Sequence, residues 1–244
     1  MGSSTEAQNE GRPVRRSPGR PRVPFDKIVT TAVRLVDDEG AAALSMRNLA
    51  QRLDTGTAVL YRAVSGRAEL VGFVVDRVFG EVDFDVDATD WQQTCRVAAQ
   101  AIFDTLSRHR SIAPLLIEQV PTGPNVLALR ERFLALLLDA GFTPEAAARA
   151  YATLARYVIG FAAQLRDPVV PDPEPARLSA LFHELDPAGY PATIAVADCL
   201  PTQKLEDEFR FGLEMIVDGL AIRHTAAIAT NHGNTFQGTP SRKN

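Results

Sequence analysis

The chain has 244 residues, 45% of them apolar and 23% charged, ordinary proportions for a globular protein large enough to bury a core. No run approaches the ~18 apolar residues of a membrane-spanning helix, and residues 1–22 are polar and basic, unlike a secretory signal. Only two cysteines occur, Cys95 and Cys199, far apart, which predicts a reducing cytoplasm rather than a disulfide scaffold.

The net charge of −4 hides an asymmetry. Residues 11–80 carry twelve Lys/Arg against seven acids, whereas residues 81–244 carry fourteen against twenty-one. A basic head on an acidic body predicts that only the head meets a polyanion.

Residues 1–23 form a Ser-, Gly-, Pro- and Arg-rich arm expected to be disordered by itself. Within it Gly19-Arg20-Pro21-Arg22 looks like an AT-hook core, an extended Arg-Pro element that fits a narrow A·T minor groove. The alternative is a solubilising arm drawn to phosphates without insertion.

The next region, 24–82, reads as four short helices. Ile28, Ala32, Leu35 and Val36 share one helical face, and Gly40 is a natural terminator. Ser45 can cap a second helix whose apolar face is Met46, Leu49, Ala50 and Leu53. Asp54-Thr55-Gly56 breaks it, and a third, very short helix is expected over 57–63. Ser65 can cap a fourth, through Leu70, Val71, Val74 and Val78.

An acidic connector at 83–90 opens the body, 83–225, where the helices are longer. The patterns predict helices at 91–108, 114–120, 124–140, 144–166 and 202–223. Thr143-Pro144-Glu145 is a helix start, with a capping hydroxyl, Pro in the first turn and an acid at the dipole's positive end. The four prolines of 167–175 predict a loop, and 226–244 a flexible tail. No β alternation is present, so the class is all-α: an N-terminal three-helix helix-turn-helix domain followed by a larger helical domain, for which ligand binding and dimerisation are the roles implied by the resemblance given below.

The chemistry concentrates in the head. Two short helices joined by a tight turn form a rigid corner, and the second can lie in the major groove. With Leu49, Ala50, Leu53, Val59, Leu60 and Val64 holding the corner, Thr57, Ala58, Tyr61 and Arg62 are left on the outer face. Arg can bind guanine bidentately, and Thr or Ala can meet a thymine methyl. Tyr61, Arg47, Arg67 and the helix start at Ser45 are better placed for phosphates.

From residues 25 to 79 the pattern resembles the TetR family of bacterial repressors, in Glu39-Gly40, Leu44-Ser45-Met46-Arg47-Asn48-Leu49-Ala50, Leu60-Tyr61 and Leu70. The resemblance implies that Thr57, Ala58, Tyr61 and Arg62 face an operator, with Arg67 on a phosphate. Two departures stand out. Asp54 sits where the family usually has Gly, and Arg62-Ala63 replaces the aromatic or His that often follows the Tyr, so an operator sequence does not carry over.

Beyond residue 82 the helix order is similar to the tetracycline-repressor type of body. In such proteins the helix beginning near Pro144 and the last long helix form a four-helix bundle with a second subunit. Here Ala148, Tyr151, Leu154, Ala155, Val158 and Ala162 share one face, as do Leu205, Phe209, Leu213, Ile216 and Leu220. The expected homodimer residues are therefore Tyr151, Leu154, Val158, Phe209, Leu213 and Ile216, with a plain intramolecular core as the alternative. Pocket candidates are Phe103, Leu106, Leu116, Gln119, Leu129, Phe133, Leu137, Tyr157 and Phe161, with Gln119 and Tyr157 as polar anchors. Leu116 and Phe133 stand where tetracycline repressors have a metal-binding His and a Gln, which disfavours a magnesium-chelated tetracycline.

Neither a metal nor a cofactor is expected. The four histidines show no ligand spacing, and no Gly-rich phosphate loop or nucleophile motif occurs, so the chain is not expected to be an enzyme. The expected function is ligand-responsive transcriptional regulation at the bacterial nucleoid: a homodimeric repressor on a palindromic double-stranded DNA operator, released by a small apolar or aromatic effector, with no membrane partner. A ligand-binding helical protein whose head no longer binds DNA, and an architectural DNA-binder without a ligand, are the alternatives; an activator also stays open.

Overall fold

A computed structural model describes residues 23–84, 90–118, 120–165 and 174–235, all of whose regular elements are helices. The head comprises α1 (Phe25–Glu39), α2 (Met46–Arg52), α3 (Thr57–Leu60) and α4 (Arg67–Phe79). The body comprises α5 (Trp91–Arg108), α6 (Ala113–Glu118), α7 (Pro124–Asp139), α8 (Pro144–Ala162), α9 (Glu174–His183), α10 (Pro191–Ala195) and α11 (Leu205–Thr235). No helix among the described residues is long and apolar enough to cross a membrane.

The head folds because each short helix has one apolar face and a defined stop. α1 buries Ile28, Val29, Ala32, Val33, Leu35 and Val36, and ends at Gly40, whose φ of +86° suits only glycine without strain. Ser45 Oγ accepts the Asn48 N–H at 3.1 Å and so starts α2. Ser65 works the other way round. Its N–H and Oγ–H both donate to the Glu69 carboxylate, at 2.6 and 2.8 Å, and α4 begins at Arg67 after Gly66. The expectation that Ser65 caps α4 through its own oxygen is thereby corrected.

The turn between α2 and α3 is held in a left-handed conformation by Asp54, at φ +50°. Asp enters this region at lower cost than most side chains, because its short polar group bonds locally. Asp54→Gly is expected to be neutral or stabilising by up to about 1 kcal/mol, as relief of strain outweighs the added freedom of the unfolded chain. Asp54→Val, β-branched, is expected to cost about 1–2 kcal/mol. Urea melts of both variants check the pair, and a neutral Val would rule out a strained turn.

In the body, Asp90 caps α5 through Gln93 N–H at 2.8 Å, and Thr143 caps α8 through Ala146 N–H at 3.3 Å. α7 ends with Gly141 at φ +92°, while Phe142 N–H returns to the Leu137 carbonyl and Gly141 N–H to that of Leu138. Phe142 then stacks on His224 of α11 at 4.1 Å and meets Trp91 of α5 edge-on. α5 packs against α8 and α11, α7 against α8, and α4 reaches α5, α6 and α7. One continuous apolar core therefore runs from Ile28 in the head to Val217 in the body.

Several expectations change. α11 continues to Thr235, so part of the expected 226–244 tail is helical. The expected loop at 167–175 ends early, because Glu174 already begins α9. Neither α9 nor α10 was expected, and neither has a fully buried residue. The largest correction concerns the expected dimer stripe. Leu154, Val158, Phe209 and Leu213 are only 0–3% exposed within their own chain, so they form its core and are closed to a second copy. Ile216 is half-buried against that core. Among the described side chains of α11, the large apolar ones left outward are Phe211, Met215 and Ile222, at 57–72% exposure and at helical spacing.

Candidate functional site

α3 is a single turn fixed by Leu60 and Val64, both buried in the same core as Leu49 and Ala50 of α2. That anchoring leaves Thr57, Ala58, Tyr61 and Arg62 exposed together on the opposite side. Tyr61 and Arg62 lie just past the end of α3, which is shorter than the expected 57–63. Arg47, at the start of α2, is exposed as well, and neither it nor Arg62 makes an ion pair among the described residues. Two unpaired guanidinium groups beside an exposed phenol make a surface suited to phosphates and base edges. Ser45 spends one acceptor lone pair on its cap and keeps its O–H free to donate. Arg20 and Arg22 lie outside the described residues.

Arg67 is placed differently from expectation. Its Nε donates to the Leu44 carbonyl at 3.0 Å, and its two terminal nitrogens donate to Glu118 of α6 at 2.6 and 3.2 Å. The guanidinium thus ties the first turn of α4 to the body. Arg52 is likewise held by Asp38 and Glu39 of α1.

An open-mouthed cavity of about 290 Å³ lies between α4 of the head and α5, α6, α7 and α8 of the body. Phe79 of α4, with Ala98, Ala99 and Ile102 of α5, forms one wall. Leu116 of α6 and Leu129 and Phe133 of α7 form another, and Leu154, Val158 and Ile159 of α8 close it. Phe84 flanks the opening, gripped by Arg132, whose guanidinium lies 4.5 Å from its ring centre and donates to its carbonyl at 3.0 Å.

Of the expected pocket residues, Leu116, Leu129 and Phe133 line this cavity. Phe103, Leu106 and Leu137 do not: each is at most 1% exposed and belongs to the core. Phe103 stacks on Phe209 at 4.2 Å, and Tyr157 and Phe161 surround the same ring. Burial pushes the Tyr157 phenol above its ordinary value, so it keeps the proton it donates to the Phe209 carbonyl at 2.7 Å. Tyr157 is therefore a structural tie between α8 and α11, not a cavity anchor. Gln119 lies outside the described residues. Tyr151, expected at a dimer interface, instead lines the cavity, where its hydroxyl accepts from Arg130 Nε at 3.0 Å. Arg130 was not foreseen, although Val126, Leu129, Phe133 and Leu137 share its face of α7 and a lone arginine on an apolar stripe is a readable signal.

An exposed cationic face on a four-helix head, joined by one core to a hollow helical body, is an arrangement with known counterparts. The family described as tetracyclin repressor-like, C-terminal domain, matches residues 85–224. The transcriptional repressor DrrR1 of Streptomyces coeruleorubidus is 30% identical over 223 residues, 87% of this chain and 82% of its own. The chain belongs to the TetR family. The TetR-family protein ActR of Streptomyces coelicolor, in complex with actinorhodin, superposes with a TM-score of 0.77 at 32% identity, covering 83% of this chain and 98% of its own. BioQ bound to its double-stranded DNA operator shares the fold at 24% identity, with a TM-score of 0.59 over 82% of this chain and 99% of its own.

In this TetR-family chain polar joints among the described residues connect head and body. Glu118 holds Arg67, as above. Asp76 of α4 accepts the backbone N–H groups of Asn125 and Val126, at 2.9 and 3.1 Å, and so caps α7. His109, at the end of α5, reaches Asp37 of α1 at 2.9 Å and Glu81 beyond α4 at 3.1 Å. Burial raises the Asp37 carboxyl above its usual range, an effect that His109 opposes. Cys95, buried in α5 with its thiol pushed up to about 12, is an inert filler.

Proposed function

We propose that this TetR-family chain is a ligand-responsive repressor. In this reading residues 24–82 bind a palindromic operator, and residues 83–225 carry the effector and the dimer contact. The observation that carries it is the shared wall of the cavity. Phe79 belongs to α4, and α4 is also the element on which α1 of the head packs. A ligand that favours a different α4 position shifts the spacing of two heads, and with it the population able to enter successive major grooves. ActR with actinorhodin supports an aromatic natural product as effector. A gel shift on DNA upstream of the protein's own reading frame, repeated with aromatic metabolites, tests this. Binding that no such compound releases would favour an architectural role instead.

The dimer is assigned to the outward face of α11. Phe211 and Met215 are 67% and 57% exposed, an apolar surface that a soluble chain covers by pairing. Phe211→Glu with Met215→Glu is expected to give a folded monomer in sedimentation and to lose cooperative operator binding. A variant that stays dimeric would move the interface elsewhere.

Arg67 is assigned a shared role between Glu118 and the operator. Both partners of the pair are more than 40% exposed, so the pair stabilises little and exchanges readily. The Arg67 hydrogen bond holds the Glu118 carboxyl below its usual range. A lowered carboxyl pKa means the pair is complete above the ordinary glutamate range and is lost as pH falls through the lowered value. At neutral pH Glu118→Gln should therefore free Arg67. The expected result is operator binding a few-fold tighter, with the slope of log K against log salt steeper by about one. An unchanged slope would remove Arg67 from the DNA contact.

A further inference from the structure

We propose that the cavity is built for an organic anion, an aromatic skeleton bearing one acidic group that pairs with Arg130. The inference rests on the cavity being the effector site, and it adds the charge of the effector. Arg130 and Arg156 both line the cavity, and among the described residues no Asp or Glu does. By contrast Arg52, Arg67, Arg77 and Arg96 are each ion-paired. Arg130 is not. Among the described residues it donates Nε–H to the Tyr151 hydroxyl at 3.0 Å and one Nη2–H to the Pro121 carbonyl at 3.2 Å.

A guanidinium has five N–H donors, so three have no partner among the described residues and are open to a ligand. They come from a group whose orientation is already fixed by two neutral acceptors, so little freedom is lost on pairing. Tyr151 extends the site. Its oxygen accepts from Arg130, which leaves its own O–H to donate to the same anion. Leu129, Phe133 and Ile102 line the same cavity, and apolar walls lower the local dielectric and so strengthen a charge-assisted contact. A neutral ligand of the same shape leaves the guanidinium without its counter-charge, and a cationic one meets two like charges.

Two fluorescent probes of matched skeleton test this on the full chain. 1-Anilinonaphthalene-8-sulfonate carries an acidic group, and N-phenyl-1-naphthylamine lacks it. Arg130→Gln is expected to weaken sulfonate binding about tenfold and to leave the neutral probe within twofold. Arg130→Lys should recover part of the loss, and Tyr151→Phe should cost the sulfonate a few-fold. Ala155→Phe, which fills the cavity, should weaken both probes, and circular dichroism verifies the fold of each variant. If Ala155→Phe weakens both probes while Arg130→Gln affects them equally or not at all, the anion site is refuted and the cavity stands. If Ala155→Phe leaves both unchanged, the cavity reading falls and the anion site with it.

Discussion

Replacing Tyr61 and Arg62 together with alanine is expected to weaken operator binding about 100-fold while leaving the melting transition almost unmoved. Both side chains are exposed and neither makes a side-chain contact that holds α3 in place, since Leu60 and Val64 do that. Surface substitutions of this kind change stability by roughly 0.5 kcal/mol or less. The loss in binding is much larger. A bidentate Arg–guanine contact is worth about 1–3 kcal/mol of discrimination, and a tyrosine–phosphate hydrogen bond adds about 1. A sum near 3 kcal/mol is about two orders of magnitude in affinity. Arg47→Ala provides the contrast: a phosphate contact should weaken operator and random DNA alike and flatten the salt dependence. Gel shifts on operator and scrambled duplexes separate the two. Unchanged operator affinity in the double variant would take base reading away from this turn.

The head was legible in the sequence because its signals are local. Gly40, Ser45 and Asp54 each punctuate a helix, and the apolar residues between them have one buried face. The body was less so, for a physical reason. α8 and α11 each carry apolar residues on more than one side, and spacing alone does not say which side meets its own chain. Leu154 and Phe209 went inward, while Phe211 and Met215 stayed out. Core and cavity are equally apolar and equally periodic, so Phe103 and Leu137 were indistinguishable from Leu129 and Phe133 until the helices were placed. α9 and α10 escaped notice because they are short, ten and five residues, each with a proline near its start, and neither buries a residue fully.

Asp76→Ala is expected to cost about 3–4 kcal/mol, a large share of the roughly 5–15 kcal/mol by which a domain is stable. Asp76 is one of few buried polar residues, 9% exposed in the middle of α4. Its carboxylate accepts from Asn125 N–H at 2.9 Å, Val126 N–H at 3.1 Å and the Asn125 side-chain amide at 3.0 Å. Those backbone groups are among the first N–H donors of α7, which have no partner within the helix, and a negative charge there also meets the positive end of the helix dipole. Hydrogen bonds to a charged group contribute about 1.5–3 kcal/mol each, and deleting the acceptor leaves buried donors unsatisfied. Asp76→Asn keeps the size and one acceptor, so about half the loss is expected. Gly123 offers an independent check. A Cβ there would stand 2.3 Å from the Asp76 carboxylate, so Gly123→Ala must push the same joint apart without touching its charge. Urea midpoints should fall in the order wild type, Asp76→Asn, Asp76→Ala, with Gly123→Ala well below wild type. A loss under 1 kcal/mol for Asp76→Ala would mean that water replaces the carboxylate and that α4 is not fastened to α7 there. α7 carries Leu129, Arg130 and Phe133 into the cavity, so this joint fixes the distance between the cavity wall and the helix that leads to the head.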